Sequence, residues 1–425
     1  MFNKKNNFLK KIDVNENIFK KSLYGCLILP LMAVSLTSWS ANFTQQGTGV
    51  SDDVAGLFAV HEIVLNTGDG SVTNPFDTNV TITFKSADKS ITVNGFYDGG
   101  NTWRARTYID VMGNWSWTSR SGDPGLNGKN GSFSANESPL PGKLRKHSRN
   151  LQQWMGDNKQ PILAMSDTPY LLFNDACLAD FNAACNENLF HRYIEQVSAK
   201  GINLLRVGIG GGYSRWVPGA RASNGRYPRA NWIHDGLNYN RFDLQQLQKT
   251  DERLAWLLDN YPGIYITSHL LPKDNTPGNR WYADLSAAQR HKTIKYLVAR
   301  YAAWPQLLFL IERDVLHTCA GSGKPPVGCV DQNASTRNNL KLSREVGACI
   351  AQKNVRNDSC NSTTDVISDP WGTMLGSSEK PREPNLLTTP SDFSIWSTFL
   401  EVQSLGGIDG SAVDEYYGPA NGLAQ

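Results

Sequence analysis

The sequence predicts a multidomain chain: an antiparallel β-sandwich over residues 50–141, then an α/β barrel of the (β/α)8 type over 142–425, with about six units legible. Three observations carry this reading. Before residue 141, short segments with period-two alternation recur between turn clusters, as in a sandwich. After the linker Ser138–Gly142, apolar runs alternate with helical patterns, which implies βα units on a parallel sheet. The run Leu307–Ile311, bounded by Pro305, breaks into Glu312, Arg313 and Asp314. That puts carboxylates at the C-terminal end of a buried strand, where such barrels keep their chemistry.

Lys20 and Lys21 precede the apolar run Leu23–Leu36, and Ser-Trp-Ser-Ala follows at 38–41. A basic flank, an apolar region and small residues read as a secretory signal over 1–41, with a long leading segment. No later stretch is apolar for long enough to span a bilayer. The expected product is secreted or periplasmic, monomeric, and without a membrane partner once the signal is removed. The chain has 42 basic and 39 acidic residues. Six of those lysines and two of the acids precede Ala41, so the remainder carries 36 basic and 37 acidic residues. A near-neutral chain gives no electrostatic case for nucleic acid. Twelve tryptophans lean towards carbohydrate, although a β-rich core uses them too.

Six cysteines follow the signal: Cys177, Cys185, Cys319, Cys329, Cys349 and Cys360. An even count in an exported chain implies disulfides, and proximity suggests Cys177–Cys185, Cys319–Cys329 and Cys349–Cys360. There is no CxxC spacing and no HExxH, so neither a metal nor another cofactor is expected.

In the first domain the expected strands are Leu57–Leu65, Val80–Lys85, Ile91–Phe96, Trp103–Val111 and Trp115–Ser119. Trp103, Trp115 and Trp117 are read as packing the sandwich rather than binding sugar. In the second domain the strands are Pro161–Met165, Ile202–Val207, Ile264–Ser268 and Leu307–Ile311, with Leu386–Thr389 and Ala412–Tyr417 as a weaker fifth and sixth. Helices are marked by Phe190, Tyr193, Ile194 and Val197 with Gly201 as stop, by Leu247, Leu254, Leu257 and Leu258, and by Ile294, Leu297, Val298 and Tyr301. One further helical pattern spans Leu340–Ile350. The glycine run 208–212 opens no helix, which argues against a dinucleotide loop.

Asn-Pro-Phe at 74–76, Gly-Phe-Tyr-Asp-Gly at 95–99, Trp-Arg-Ala-Arg at 103–106 and Gly-Asn-Trp-Ser-Trp at 113–117 stand in order. Together they resemble the sandwich domain of unknown function that precedes apiosidase-like glycoside hydrolase barrels in bacterial exported proteins. The second domain is similar to those barrels, members of the large retaining glycosidase clan. The carriers are Ser166-Asp167-Thr168-Pro169-Tyr170, Gly201 to Arg206, and Trp304 to Asp314. The resemblance implies that Arg206 steadies the nucleophile and that Asp314 replaces the usual acid/base glutamate. Arg313 stands where the clan has asparagine.

Glycoside hydrolysis needs two carboxyl groups, one of them a proton donor to the leaving oxygen. Asp314 is the first candidate for that acid. Glu312 lies deeper and reads equally as a buried partner of Arg206 or Arg313. Glu415 is the late carboxylate available as second catalytic group. Asp167, Arg206, His269, Trp281 and Tyr417 are candidate substrate contacts. The expected function is cleavage of O-glycosidic bonds in a plant or algal polysaccharide or oligosaccharide. The alternative is a silent carbohydrate-binding protein, since six legible units against eight suggest a C-terminally truncated barrel.

Overall fold

The computed structural model describes residues 54–150, 153–169, 172–173, 187–209, 233–235, 238–271, 285–312, 346–347, 349–351, 367, 369–379 and 399–402. All of them belong to one compact unit, Trp39–Gln425. The described elements are mostly β-strands with few helices.

Eight strands come first: β1 Val54–Gly56, β2 Val60–Leu65, β3 Val80–Lys85, β4 Ser90–Asn94, β5 Phe96–Gly99, β6 Thr102–Tyr108, β7 Gly113–Ser121 and β8 Asn130–Asn136. They form a five-stranded sheet, β1-β8-β7-β3-β4, and a three-stranded sheet, β2-β6-β5. All pairings are antiparallel except β1 with β8. Alternation decides which side chains go inward: Val80, Ile82 and Phe84 on β3, and Trp115, Trp117 and Ser119 on β7, are buried. Trp115 lies directly across from Phe133 and stacks on it at 5.8 Å. His61 of β2 stacks on the same ring at 3.8 Å, so the two sheets share one core. The three tryptophans expected to pack are buried.

Three of these strands were not legible. In β8 the apolar content is one phenylalanine and one alanine, and β1 is short. Phe96 continues the chain from β4 after Gly95 into a separate strand of the other sheet. The tight return from β5 to β6 uses Gly99 and Gly100, both at positive φ, a conformation open to glycine without strain. All six residues of β2 are buried, against simple alternation. The reason is that both faces are covered. His61, Ile63 and Leu65 meet the other sheet, whereas Glu62 turns to Arg104 and Arg106 and, through them, to the helices described next.

The second half is a six-stranded sheet in the order β12-β13-β16-β17-β18-β19, parallel throughout. Its strands are β12 Ser166–Asp167, β13 Leu204–Gly208, β16 Tyr265–Leu271, β17 Leu307–Glu312, β18 Leu375–Glu379 and β19 Phe399–Val402. Three helices are described: α1 Glu187–Ala199, α2 Leu244–Asn260 and α3 Ala287–Tyr301. All the expected apolar markers on them are buried except Tyr193, which is half-buried. α1 stops where Gly201 takes φ 77°, letting Ile202 N–H reach back to Val197 O at 3.0 Å. Asp243 caps α2 by accepting from Gln246 N–H at 3.1 Å, and Ser286 with Gln289 forms a reciprocal capping box on α3. A short hairpin, β14 His234–Asp235 with β15 Asn238–Phe242, precedes α2. Residues 346–347 and 349–350 are helical, within the expected segment.

One expectation is corrected. Pro161–Ile162 is not the first parallel strand. It is β11 of a small antiparallel sheet with β9 Arg145–Lys146 and β10 Trp154–Met155. Leu163 and Met165 are exposed, because the Asn203 side chain bonds Leu163 O and Met165 N–H, both at 2.9 Å, in place of a ladder. The first parallel pairing begins at Ser166. Two strands that the sequence did not mark, Leu375–Glu379 and Phe399–Val402, follow in the described sheet, and the expected segments 386–389 and 412–417 lie outside the described residues. In β18 a leucine is followed by glycine and two serines, so backbone pairing on both sides, rather than an apolar run, makes it a strand.

Candidate active site

Register divides the parallel sheet into two faces. Leu205, Val207, Ile266, Phe309, Ile311 and Leu375 join the core that includes the three helices. Leu204, Tyr265 and Leu308, at the alternate positions, pack with Leu144 and Met374. Arg206 and Thr267 pair across the strands at that second set of positions. His269 lies in register with Gly208 and Leu310, and Leu271 with Glu312. Thus Arg206, His269 and Glu312 occupy alternate positions on the face away from the helices, rising towards the C-terminal ends of β13, β16 and β17. This edge is where a parallel sheet with helical crossovers presents its chemistry.

Arg206 is buried. Asp167 belongs to the other parity, in register with Leu205, and sits on the helix side. It is exposed, and both its oxygens are engaged: Tyr193 Oη donates to Oδ2 at 2.7 Å and Thr168 N–H to Oδ1 at 2.7 Å. Burial, then the neighbouring Asp167 carboxylate, pushes the Tyr193 hydroxyl above its ordinary range. In this arrangement Asp167 ties the end of β12 to α1 and caps the next peptide. Asp314, Glu415, Trp281 and Tyr417 lie outside the described residues.

Two further carboxylates stand on strands that sequence reading did not place. Glu379 ends β18, and Glu401 lies on β19 in register with Ser378. Phe399, Leu400 and Val402 are the apolar residues of this four-residue strand. Among the described residues no group of three His, Cys, Asp or Glu is arranged as metal ligands would be. A cavity of about 200 Å³ lies elsewhere, between residues 75–79, Phe96, Tyr97 and α3, and includes none of the strand ends.

The opposite end of the sheet is built for rigidity. Lys143 Nζ is buried and donates to Ala302 O at 2.8 Å, Trp304 O at 2.9 Å and Thr373 Oγ1 at 3.0 Å. Burial pushes this amine down to about 7, against the opposing pull of Asp369. Asp157 accepts from Tyr108 Oη at 2.5 Å and Arg145 Nε at 2.8 Å, and is held below the ordinary carboxylate range by these partners despite its burial.

A family model described as a domain of unknown function (DUF5060) matches residues 55–122. No curated protein sequence matches the chain. Among solved structures, a putative glycoside hydrolase from Bacteroides vulgatus aligns at 18% identity and TM-score 0.56, covering 78% of this chain and 57% of that one. A glycoside hydrolase family 5 structure from the same organism aligns at 15% identity and TM-score 0.36, covering 61% of this chain and 44% of that one. The chain therefore spans about half the length of these structures, and the first of them shares its fold.

Proposed function

We propose that this chain is an exported glycoside hydrolase, acting on a plant or algal polysaccharide or oligosaccharide. The observation that carries the reading is the parallel sheet whose β17 ends in Glu312, in register with Leu271 on β16, with His269 and Arg206 at successive lower positions of the same parity. In this reading residues 50–141 are an immunoglobulin-like sandwich, 142–425 belong to a (β/α)8-type barrel, and 1–41 are a signal. The putative glycoside hydrolase of similar fold supports the barrel. The short cysteine spacings support the three local disulfides in an oxidising compartment.

The chemistry follows from the strand tip. A carboxyl group there, Asp314 first, gives its proton to the leaving oxygen as the glycosidic bond breaks, and Glu415 supplies the second carboxylate. The acid's proton is retained near neutrality when burial or a neighbouring negative charge raises its pKa, and Glu312 two residues earlier is such a neighbour. Arg206, His269, Trp281 and Tyr417 complete the substrate contacts, while Asp167 holds the end of β12 to α1. Specificity of the apiosidase-like kind is part of the proposal.

The test is turnover of a panel of 4-nitrophenyl glycosides and plant and algal polysaccharides. Asp314→Asn is expected to remove turnover, on the order of 10²-fold or more, with Glu312→Gln keeping part of it. The reverse ranking would put the acid at Glu312. A second reading, binding without hydrolysis, is favoured by Arg313-Asp314 in place of Asn-Glu. Arginine lacks the acceptor that asparagine has. Saturable binding of a glycan by a chain that turns over none of the panel selects this second reading.

A further inference from the structure

The first eight strands meet the helices through six charged side chains: Glu62, Asp98, Arg104, Arg106, Asp251 on α2 and Arg300 on α3. Arg106 donates to Glu62 Oε2 at 2.7 Å, and through both Nη atoms to the two oxygens of Asp251 at 3.1 and 2.6 Å. Arg300 pairs with Asp251 at 2.6 Å and with Asp98 at 3.0 Å. Arg104 closes the set on Asp98 and Glu62. Both Arg106 and Arg300 lie over the Phe96 ring, at 5.0 and 4.9 Å. Each of these charges has an ion-pair partner, which offsets the cost of withdrawing it from water, while Asp98 Oδ1, Arg300 Nε and Arg300 Nη2 make no hydrogen bond among the described residues.

Several contacts from the same side converge on one short stretch of chain. Arg106 Nη1 donates to Arg300 O at the end of α3. Its guanidinium also lies 5.3 Å from the Trp304 ring. Lys143 holds Ala302 O and Trp304 O, and Tyr296 Oη, one turn earlier, donates to Tyr97 O at 2.8 Å. Gly142 O accepts from Tyr265 Oη at 3.0 Å, at the start of β16. Residues 300–306 are the last residues of α3 and its connection into β17. They are buried and held from outside the parallel sheet at both backbone and ring.

We propose that the function of the antiparallel region, which includes the matched domain of unknown function, is to hold the α3–β17 connection and so to fix the position of the strand that ends in Glu312. This role does not depend on which reaction the strand end performs. Arg106 and Lys143 are positioning residues, acting through the backbone of 300–304 and touching no strand end themselves. The burial of Trp103, Trp115 and Trp117 fits this role, since it leaves no exposed aromatic platform on them for sugar.

Hydrogen–deuterium exchange on the full chain tests it. Asp251→Asn removes the charge that Arg106 and Arg300 share. Phe133→Ala creates a cavity in the same antiparallel core, away from the helices, and serves as the control. The two variants are compared at urea concentrations that give them equal global stability. Amides of 302–309 are expected to exchange roughly tenfold faster in Asp251→Asn than in Phe133→Ala, whose own faster exchange is confined to β3, β7 and β8 around its cavity. Equal exchange of 302–309 in the matched variants would overturn the proposal. If Asp251→Asn does not fold, Arg106→Lys, which loses the forked pairing but keeps the charge, provides the same comparison.

Discussion

His61 sits between two sheets with its ring on Phe133, and burial pushes its imidazole down from an ordinary 6.5 to about 3. His234, bonded to Thr293 Oγ1 at 2.9 Å, is pushed down by burial in the same way, to about 4. The sign of the consequence is fixed. Between the two values for His61, 6.5 and about 3, the unfolded chain binds a proton that the folded chain refuses. Stability is therefore complete above 6.5 and falls as pH drops through this window, by up to about 1.4 kcal/mol per pH unit for this one group. His61→Phe keeps a ring against Phe133 and removes the titration. Urea midpoints measured from pH 6.5 to 4 are expected to fall less steeply in this variant. An identical slope in both proteins would show that His61 is not buried neutral.

At the scale of the element, the helices of the second half were legible and several strands were not. Helices α1, α2 and α3 announce themselves with apolar positions three and four apart, and each carries a terminal signal in its own side chains: Gly201, Asp243, Ser286 with Gln289. Gly201 was legible in the sequence as a stop; the caps at Asp243 and at Ser286 with Gln289 came only from the structure. Ser286→Ala breaks the capping box and is expected to cost about 1 kcal/mol, seen as a lower urea midpoint with an unchanged denaturant slope. Strand β17 was legible because both faces are buried, which makes the continuous apolar run Leu307–Ile311. β18 was illegible for the opposite reason: its Leu-Gly-Ser-Ser-Glu sequence is strand because neighbours pair with it, and pairing is not written locally. The same holds for the register that aligns Arg206, His269 and Glu312. Their residue types were readable as candidates, but the Asp167 interaction with Tyr193 and the second parity of β12 depend on where the first pairing begins.

For the whole molecule, the described residues form one unit in which the antiparallel sheets and the helices share a core as well as a charge set. Tyr296 stacks on Phe242 at 4.0 Å, and Phe76 meets Tyr97, Phe242 and Tyr296 edge-on. Separating the halves would expose these rings and break the Arg106–Asp251 and Arg300–Asp98 pairs. The expected outcome is a single unfolding transition, with tryptophan emission, dominated in the first half by Trp103, Trp115 and Trp117, coinciding with the far-ultraviolet helix signal. Two separated transitions would show that the halves are independent.

The charge set has a consequence for how the halves come together. The antiparallel side contributes Glu62, Asp98, Arg104 and Arg106, two of each sign, and the helices contribute Asp251 and Arg300, one of each. Neither of these contributions has a monopole with which to attract the other. Ionic strength acts on long-range fields between net charges, so added salt has little to screen while the two surfaces are apart. What the surfaces share is an alternating pattern that is recognised only at contact distance. Recognition by this charge set is thus a short-range lock, discriminating once the guanidinium of Arg106 is within reach of Asp251.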